Sequence, residues 1–173
     1  MNSIREGYEK YGVEKYYELH KKDYENPHEY TIKKLLLTAK KEWKIKGKIL
    51  DLCCGSGEVS NCFKEFEVEG IDPYTKDLYE ANTNNKCKSM TFKDIVKDGI
   101  NDRYDYVISS FAMHLCEESM LPMLLYRLSQ ITENLIIVTP HKRPDCNGNY
   151  FEEKERMKLE KVSIIHYKKI KQS

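Results

Sequence analysis

The stretch Lys48-Ile49-Leu50-Asp51-Leu52-Cys53-Cys54-Gly55-Ser56-Gly57-Glu58-Val59-Ser60 decides how this chain folds. Ile49, Leu50 and Leu52 form a short apolar run that reads as a buried strand, halted by small residues just before a helix begins. Gly55 and Gly57 let the backbone turn tightly and approach a ligand, because glycine has no Cβ and accepts positive φ without strain. Ser56 or Ser60 is placed to cap the following helix, predicted over Glu58–Phe66, whose free N–H groups attract polar or anionic ligand atoms. Such a turn suits a nucleotide.

Moving outward, the next apolar run, Val68-Glu69-Gly70-Ile71, closes on Asp72 and Pro73. Strand signals then recur at Ser89–Phe92, Tyr104–Ser110 and Asn134–Thr139, with helices predicted at Thr75–Ala81 and Met120–Ile131. This alternation is the pattern of a parallel α/β sheet. Upstream, His28–Lys44 reads as a helix, with Ile32, Leu35, Leu36, Ala39 and Trp43 at helical spacing. Ser3–Lys22 is also predicted helical, weakened by Gly7 and Gly12, and Pro27 marks a turn at Tyr24–His28. Downstream, Lys161–Lys168 alternates as a strand, while Tyr150–Met157 has no definite type. No linker divides the chain, so one domain is expected over residues 1–173, with a helical segment 1–46 ahead of a core at 47–173.

Composition limits the function classes. At 40% apolar residues the chain fits a globular protein, and no run approaches the roughly 18 continuous apolar residues of a membrane span. The opening Met1-Asn2-Ser3-Ile4-Arg5-Glu6 has no apolar signal core. The six cysteines show no Cys-x-x-Cys pair, which argues against a zinc site and points to a reduced, cytoplasmic protein with no bound metal. Charge is balanced, 29 basic against 28 acidic residues, and does not favour a nucleic-acid partner. Oligomeric state is not encoded in any pattern read here.

A dinucleotide fingerprint requires a third small residue after the glycine pair, and that position is Ser60. The two acids, Asp51 inside the strand end and Asp72 closing the next strand, follow another pattern. Here the sequence resembles the class I S-adenosylmethionine (SAM) dependent methyltransferases, whose first motif is an apolar strand, an acid and a glycine-rich turn, and whose second is an acid ending the next strand. Cys53 stands where that family often has glycine. The resemblance implies a Rossmann-like α/β three-layer sandwich, mostly parallel, with a short C-terminal antiparallel hairpin.

It also implies a site. Asp51, Cys53, Gly55, Gly57, Asp72 and Pro73 would surround SAM, with Asp72 accepting from the ribose diol; the plainer alternative for Asp72 is a turn acid before proline. Asp94 would accept from the adenine amino group while the Ile95 amide donates to the ring. Ser110 and Phe111 would lie beside the sulfonium. Tyr16, Tyr24 and His28 are either packing aromatics or a lid over the cofactor, His28 then touching the acceptor. His114 is a candidate general base, or an ordinary hydrogen-bonded histidine among Phe111, Met113 and Leu115. His141 and Arg143, in the loop Thr139-Pro140-His141-Lys142-Arg143-Pro144, would bind an anionic group on the acceptor or simply be solvated.

Ser109-Ser110-Phe111-Ala112 replaces the Asn/Asp-Pro-Pro-Tyr/Phe of the adenine-amino and glutamine-amide methyltransferases, which shifts the expected acceptor to a small molecule. Tyr24–His28, Ser110–Leu115 and the Thr139–Pro144 loop together resemble a small group of uncharacterised methyltransferase-like proteins, which brings no substrate. The expected activity is SAM-dependent methyl transfer to a small acceptor. The alternatives are an RNA or protein methyltransferase, or a SAM-binding partner subunit without catalysis.

Overall fold

The computed structural model describes residues 28–171. Seven strands form one sheet: β1 (Ile49–Leu52), β2 (Val68–Ile71), β3 (Cys87–Lys88), β4 (Tyr106–Ser110), β5 (Asn134–Thr139), β6 (Phe151–Leu159) and β7 (Val162–Lys169). Their spatial order is β3-β2-β1-β4-β5-β7-β6. The first five run parallel, and β7 is antiparallel to both β5 and β6. Among the described residues four α-helices accompany them: α1 (Glu29–Glu42), α2 (Lys76–Thr83), α3 (Phe92–Asp98) and α4 (Leu121–Ser129).

Period-two alternation divides the strand residues between two cores. Ile49, Ile108, Ile136, Val138 and Ile164 pack with Ile32, Leu35, Leu36 and Ala39 of α1. Leu50, Leu52, Val107, Leu135 and Ile137 pack on the opposite face with Ile95 of α3 and Leu124, Leu125 and Leu128 of α4. Helices thus cover both faces, which makes the expected three-layer Rossmann-like sandwich. β1, β2, β4 and β5 are short but largely buried, as parallel strands covered on both faces must be.

Three local expectations are corrected. The helix expected over Glu58–Phe66 is only a 3₁₀ turn at Ser60–Cys62. Gly57 at φ +100° is not helical, and the Ser60 amide is drawn to the Asp51 carboxylate. The strand expected at Ser89–Phe92 is the two-residue β3 one step earlier, after which the chain enters α3 through a capping box between Thr91 and Asp94. The hairpin is not short. β6 and β7 have nine and eight residues, joined through Glu160 and Lys161, both at positive φ, the conformation that suits a tight two-residue hairpin loop. The helix expected over Ser3–Lys22, with Tyr16 and Tyr24, lies outside the described residues. No helix among the described residues is long and apolar enough to cross a membrane.

Candidate functional site

At the carboxyl end of the parallel strands, where open α/β sheets leave a crevice, lies a cavity of about 230 Å³. Its floor is the turn after β1. Cys53 takes φ +61° and Gly55 φ +52°. For a cysteine this left-handed conformation is uncommon, which explains why glycine suits that position in the resembled family. The turn is fixed by Cys54 N–H to Ile71 O at 3.0 Å and Gly57 N–H to Cys54 O at 2.9 Å. Burial pushes the Cys53 thiol well up, so it meets the cavity as a neutral group.

Three carboxyl groups line this space: Asp51, Glu58 and Asp72. Asp51 is buried; its Oδ2 accepts from Ser60 N at 3.2 Å and Ser60 Oγ at 2.7 Å. Its Oδ1 is buried and has no hydrogen-bond partner among the described residues. Burial pushes the Asp51 carboxyl up to about 7, against the opposing pull of the Ser60 bonds. Burial likewise pushes Glu58 up to about 7, with Glu29 adding to the effect. Asp72 accepts from Gly55 N at 3.2 Å through Oδ2 and from Tyr74 N at 2.9 Å through Oδ1. It therefore holds the two loops together while remaining on the cavity wall.

The remaining lining is mostly apolar, with Met90, Phe92, Ile95, Phe111, Ala112 and Leu115 beside the polar Thr91 and Ser110. Phe111 sits at φ +55°, strained for a bulky residue and pinned by its N–H to Val138 O at 2.8 Å. The His28 ring lies 5.2 Å from the Phe111 ring.

Of the expected cofactor residues, Asp51, Cys53, Gly55, Asp72, Pro73, Ile95, Ser110 and Phe111 line the cavity. Two are placed differently. Gly57 is not on the wall; a Cβ there would come within 2.4 Å of Thr83 Cγ2, so its small size makes room for α2. Asp94 is not on the wall either. Its Oδ2 accepts from Thr91 N at 2.9 Å and caps α3, which puts Thr91 and Phe92 at the cavity in its place. The Thr-x-x-Asp spacing of a capping box was present in the sequence as the signal for this. Cys54, Ser56, Glu58, Tyr74, Met90 and Leu115 line the cavity without having been expected to.

Leu115 also borders a second, wider cavity, which includes His114, Cys116, Glu117, Glu118, His141, Lys142, Arg143 and Asp145. Here the rings of His114 and His141 lie 4.7 Å apart. Arg143 is exposed and reaches Glu118 at 4.0 Å. The four residues expected on the acceptor side thus separate into His28 against Phe111 and His114, His141 and Arg143 around the second cavity.

Comparison with known proteins agrees with this fold. The family model of the tellurite resistance protein TehB matches residues 13–142. A relative from Schizosaccharomyces pombe, "Uncharacterized protein C17A5.05c", is 30% identical over 198 aligned positions, covering 86% of this chain and 78% of that one. Among solved structures, a TehB-like SAM-dependent methyltransferase of Corynebacterium glutamicum superposes with a TM-score of 0.64 at 14% identity, covering 89% of this chain and 94% of its own. The SAM-bound magnesium protoporphyrin IX methyltransferase of Synechocystis gives 0.65 at 14% identity, covering 95% and 94%. TehB of Haemophilus influenzae gives 0.60 at 17% identity, covering 91% and 67%. At these identities the structural likeness is one of fold, whereas the family match spans most of the sequence. This chain belongs to the TehB family, and through it to the class I SAM-dependent methyltransferase superfamily.

Proposed function

We propose that this chain transfers the methyl group of SAM to a small-molecule acceptor and releases S-adenosylhomocysteine. The observation that carries this reading is the charge of the first cavity: among its described lining residues are three carboxyl groups and no lysine, arginine or histidine. Such a wall suits a ligand bearing a sulfonium and an ammonium group. It opposes the diphosphate of a dinucleotide, which seeks cationic or amide donors. Family membership supports the same choice, and the tellurite of the family's description, tellurite resistance, is a small anion.

In this assignment Asp72 accepts from the ribose hydroxyls and Asp51 from the α-ammonium group. Met90, Phe92 and Ile95 enclose the adenine, and Ser110, Phe111 and Leu115 border the reacting centre. SAM, when bound, supplies an electrophilic methyl group, so the protein's part is alignment of nucleophile, carbon and sulfur for in-line displacement. His114 removes a proton where the acceptor arrives protonated, and His28, His141 and Arg143 contact the acceptor. Residues 1–173 act as one domain.

Calorimetric titration with SAM, S-adenosylhomocysteine and NAD tests the reading. Binding of the first two alone supports it and opens an acceptor screen among small carboxylates, phenols, amines and tellurite; binding of NAD alone would end it. A pH dependence is also expected. Asp51 must be ionised to pair with the ammonium group, and burial, with a smaller push from Asp72 and Glu58, raises its carboxyl to about 7. Affinity for S-adenosylhomocysteine should therefore rise with pH and be about tenfold weaker at pH 6 than at pH 8. A flat profile between these values would separate Asp51 from the ammonium group.

A further inference from the structure

Behind the cavity wall, Asp51 is tied to a short relay. Ser60 gives both its N–H and its hydroxyl proton to Asp51 Oδ2, and its Oγ also lies 2.8 Å from the Tyr79 hydroxyl. A serine hydroxyl has one proton. With that proton committed to the carboxylate, Ser60 Oγ accepts from Tyr79, and the chain runs Tyr79 to Ser60 to Asp51. Tyr79 is wholly buried on α2. Its ring occupies a slot where a Cβ on Gly70 would approach to 2.7 Å and one on Gly57 to 3.4 Å. Two glycines thus make room for the tyrosine of this relay, whose hydroxyl is also hydrogen-bonded by the Asn85 side chain.

We propose that Ser60, braced by Tyr79, is the positioning residue that turns Asp51 so that Oδ1 meets the α-ammonium group of the cofactor; this rests on the SAM reading above. With Oδ2 held from behind by two donors, the buried Oδ1 is the oxygen left for a ligand in the cavity that Asp51 lines. The titratable groups coupled to Asp51 are Asp72 after β2, Glu58, Cys53 and Cys54 in the turn, Cys62 in the 3₁₀ turn, and Tyr79 on α2. None of these is a cation, so the ligand's ammonium supplies the counter-charge. Without the Ser60 hydroxyl the carboxylate keeps its place in the strand and the bond from the residue 60 amide, but loses the hydroxyl bond that fixes its rotation and favours its charged form.

The test compares S-adenosylhomocysteine with 5′-methylthioadenosine, which keeps the adenosine and thioether but lacks the amino-acid portion. Both are titrated by calorimetry into the unaltered chain, Ser60→Ala and Tyr79→Phe, from pH 6 to pH 8.5. Ser60→Ala should lose about tenfold in affinity for S-adenosylhomocysteine and Tyr79→Phe about threefold, while methylthioadenosine binds all three alike. The pH midpoint of S-adenosylhomocysteine affinity should also move upward in Ser60→Ala. Tyr79→Phe keeps the buried ring and guards against a result due to misfolding. Equal losses for both ligands, or no loss for either, would overturn the positioning role. Failure of the unaltered chain to bind S-adenosylhomocysteine would instead overturn the cofactor reading, and this inference with it.

Discussion

Replacing Asp72 with alanine is expected to weaken binding of S-adenosylhomocysteine by roughly 100- to 1000-fold, the loss of two charge-assisted hydrogen bonds. Two effects add. The ribose loses its carboxylate acceptor, and the Gly55 and Tyr74 amides lose the side chain that holds their loops in register. Asp72→Asn separates them in part. One face of an amide is a donor, so it satisfies only one of these two backbone N–H groups, and its affinity should fall between the other two. Calorimetry reads the affinity, and a thermal melt shows whether the free protein has changed. Unchanged affinity in Asp72→Ala would put the ribose elsewhere.

The largest expected effect on stability comes from a residue that touches no ligand. Gly70→Ala should destabilise the fold by about 3 kcal/mol, because overpacking a tight interior costs about 1–3 kcal/mol and here the obstacle lies on two sides. The added Cβ would stand 2.7 Å from Cys54 Sγ and 2.7 Å from the Tyr79 ring. Both are buried, and Gly70 is locked between Asp51 of β1 and Cys87 of β3, so relief by sliding the strand is closed. The melting temperature should drop by about 5–10 °C. An unaltered melt would mean that the Tyr79 slot is looser than its geometry indicates.

The contrast between these two residues explains what the sequence makes legible. Asp72 stands out because a strand end, an acid and a proline are neighbours in the chain. Gly70 does not: in sequence it is one member of an apolar run, and its need for smallness comes from Tyr79, which a different element delivers. The same division separates the two cavities. The turn after β1 is local chemistry, so Cys53 and Gly55 are legible from their order, although Cys54, Ser56 and Glu58 line the cavity beside them. The acceptor side is assembled from the start of α1, the end of β4 and the loop after β5, and no spacing announces that His28 meets Phe111 or that His114 meets His141. Asp94 was misplaced for a third reason. The strand before it ends at Lys88 rather than Phe92, so Asp94 falls in the first turn of α3, where its carboxylate accepts the capping bond from Thr91.

β6 forms one outer edge of the sheet, and its sequence Phe151-Glu152-Glu153-Lys154-Glu155-Arg156-Met157-Lys158-Leu159 crowds six charged residues onto nine positions. Its pairing with β7 is broken by a register shift between Glu153 and Glu155. At the opposite edge, β3 has only two residues. A sheet with free edges is a template for strands of other molecules, and charge, irregularity and brevity are the means by which edges are made unreceptive. Protection against fibrous self-association is therefore written into two strands that contribute no residue to the crevice.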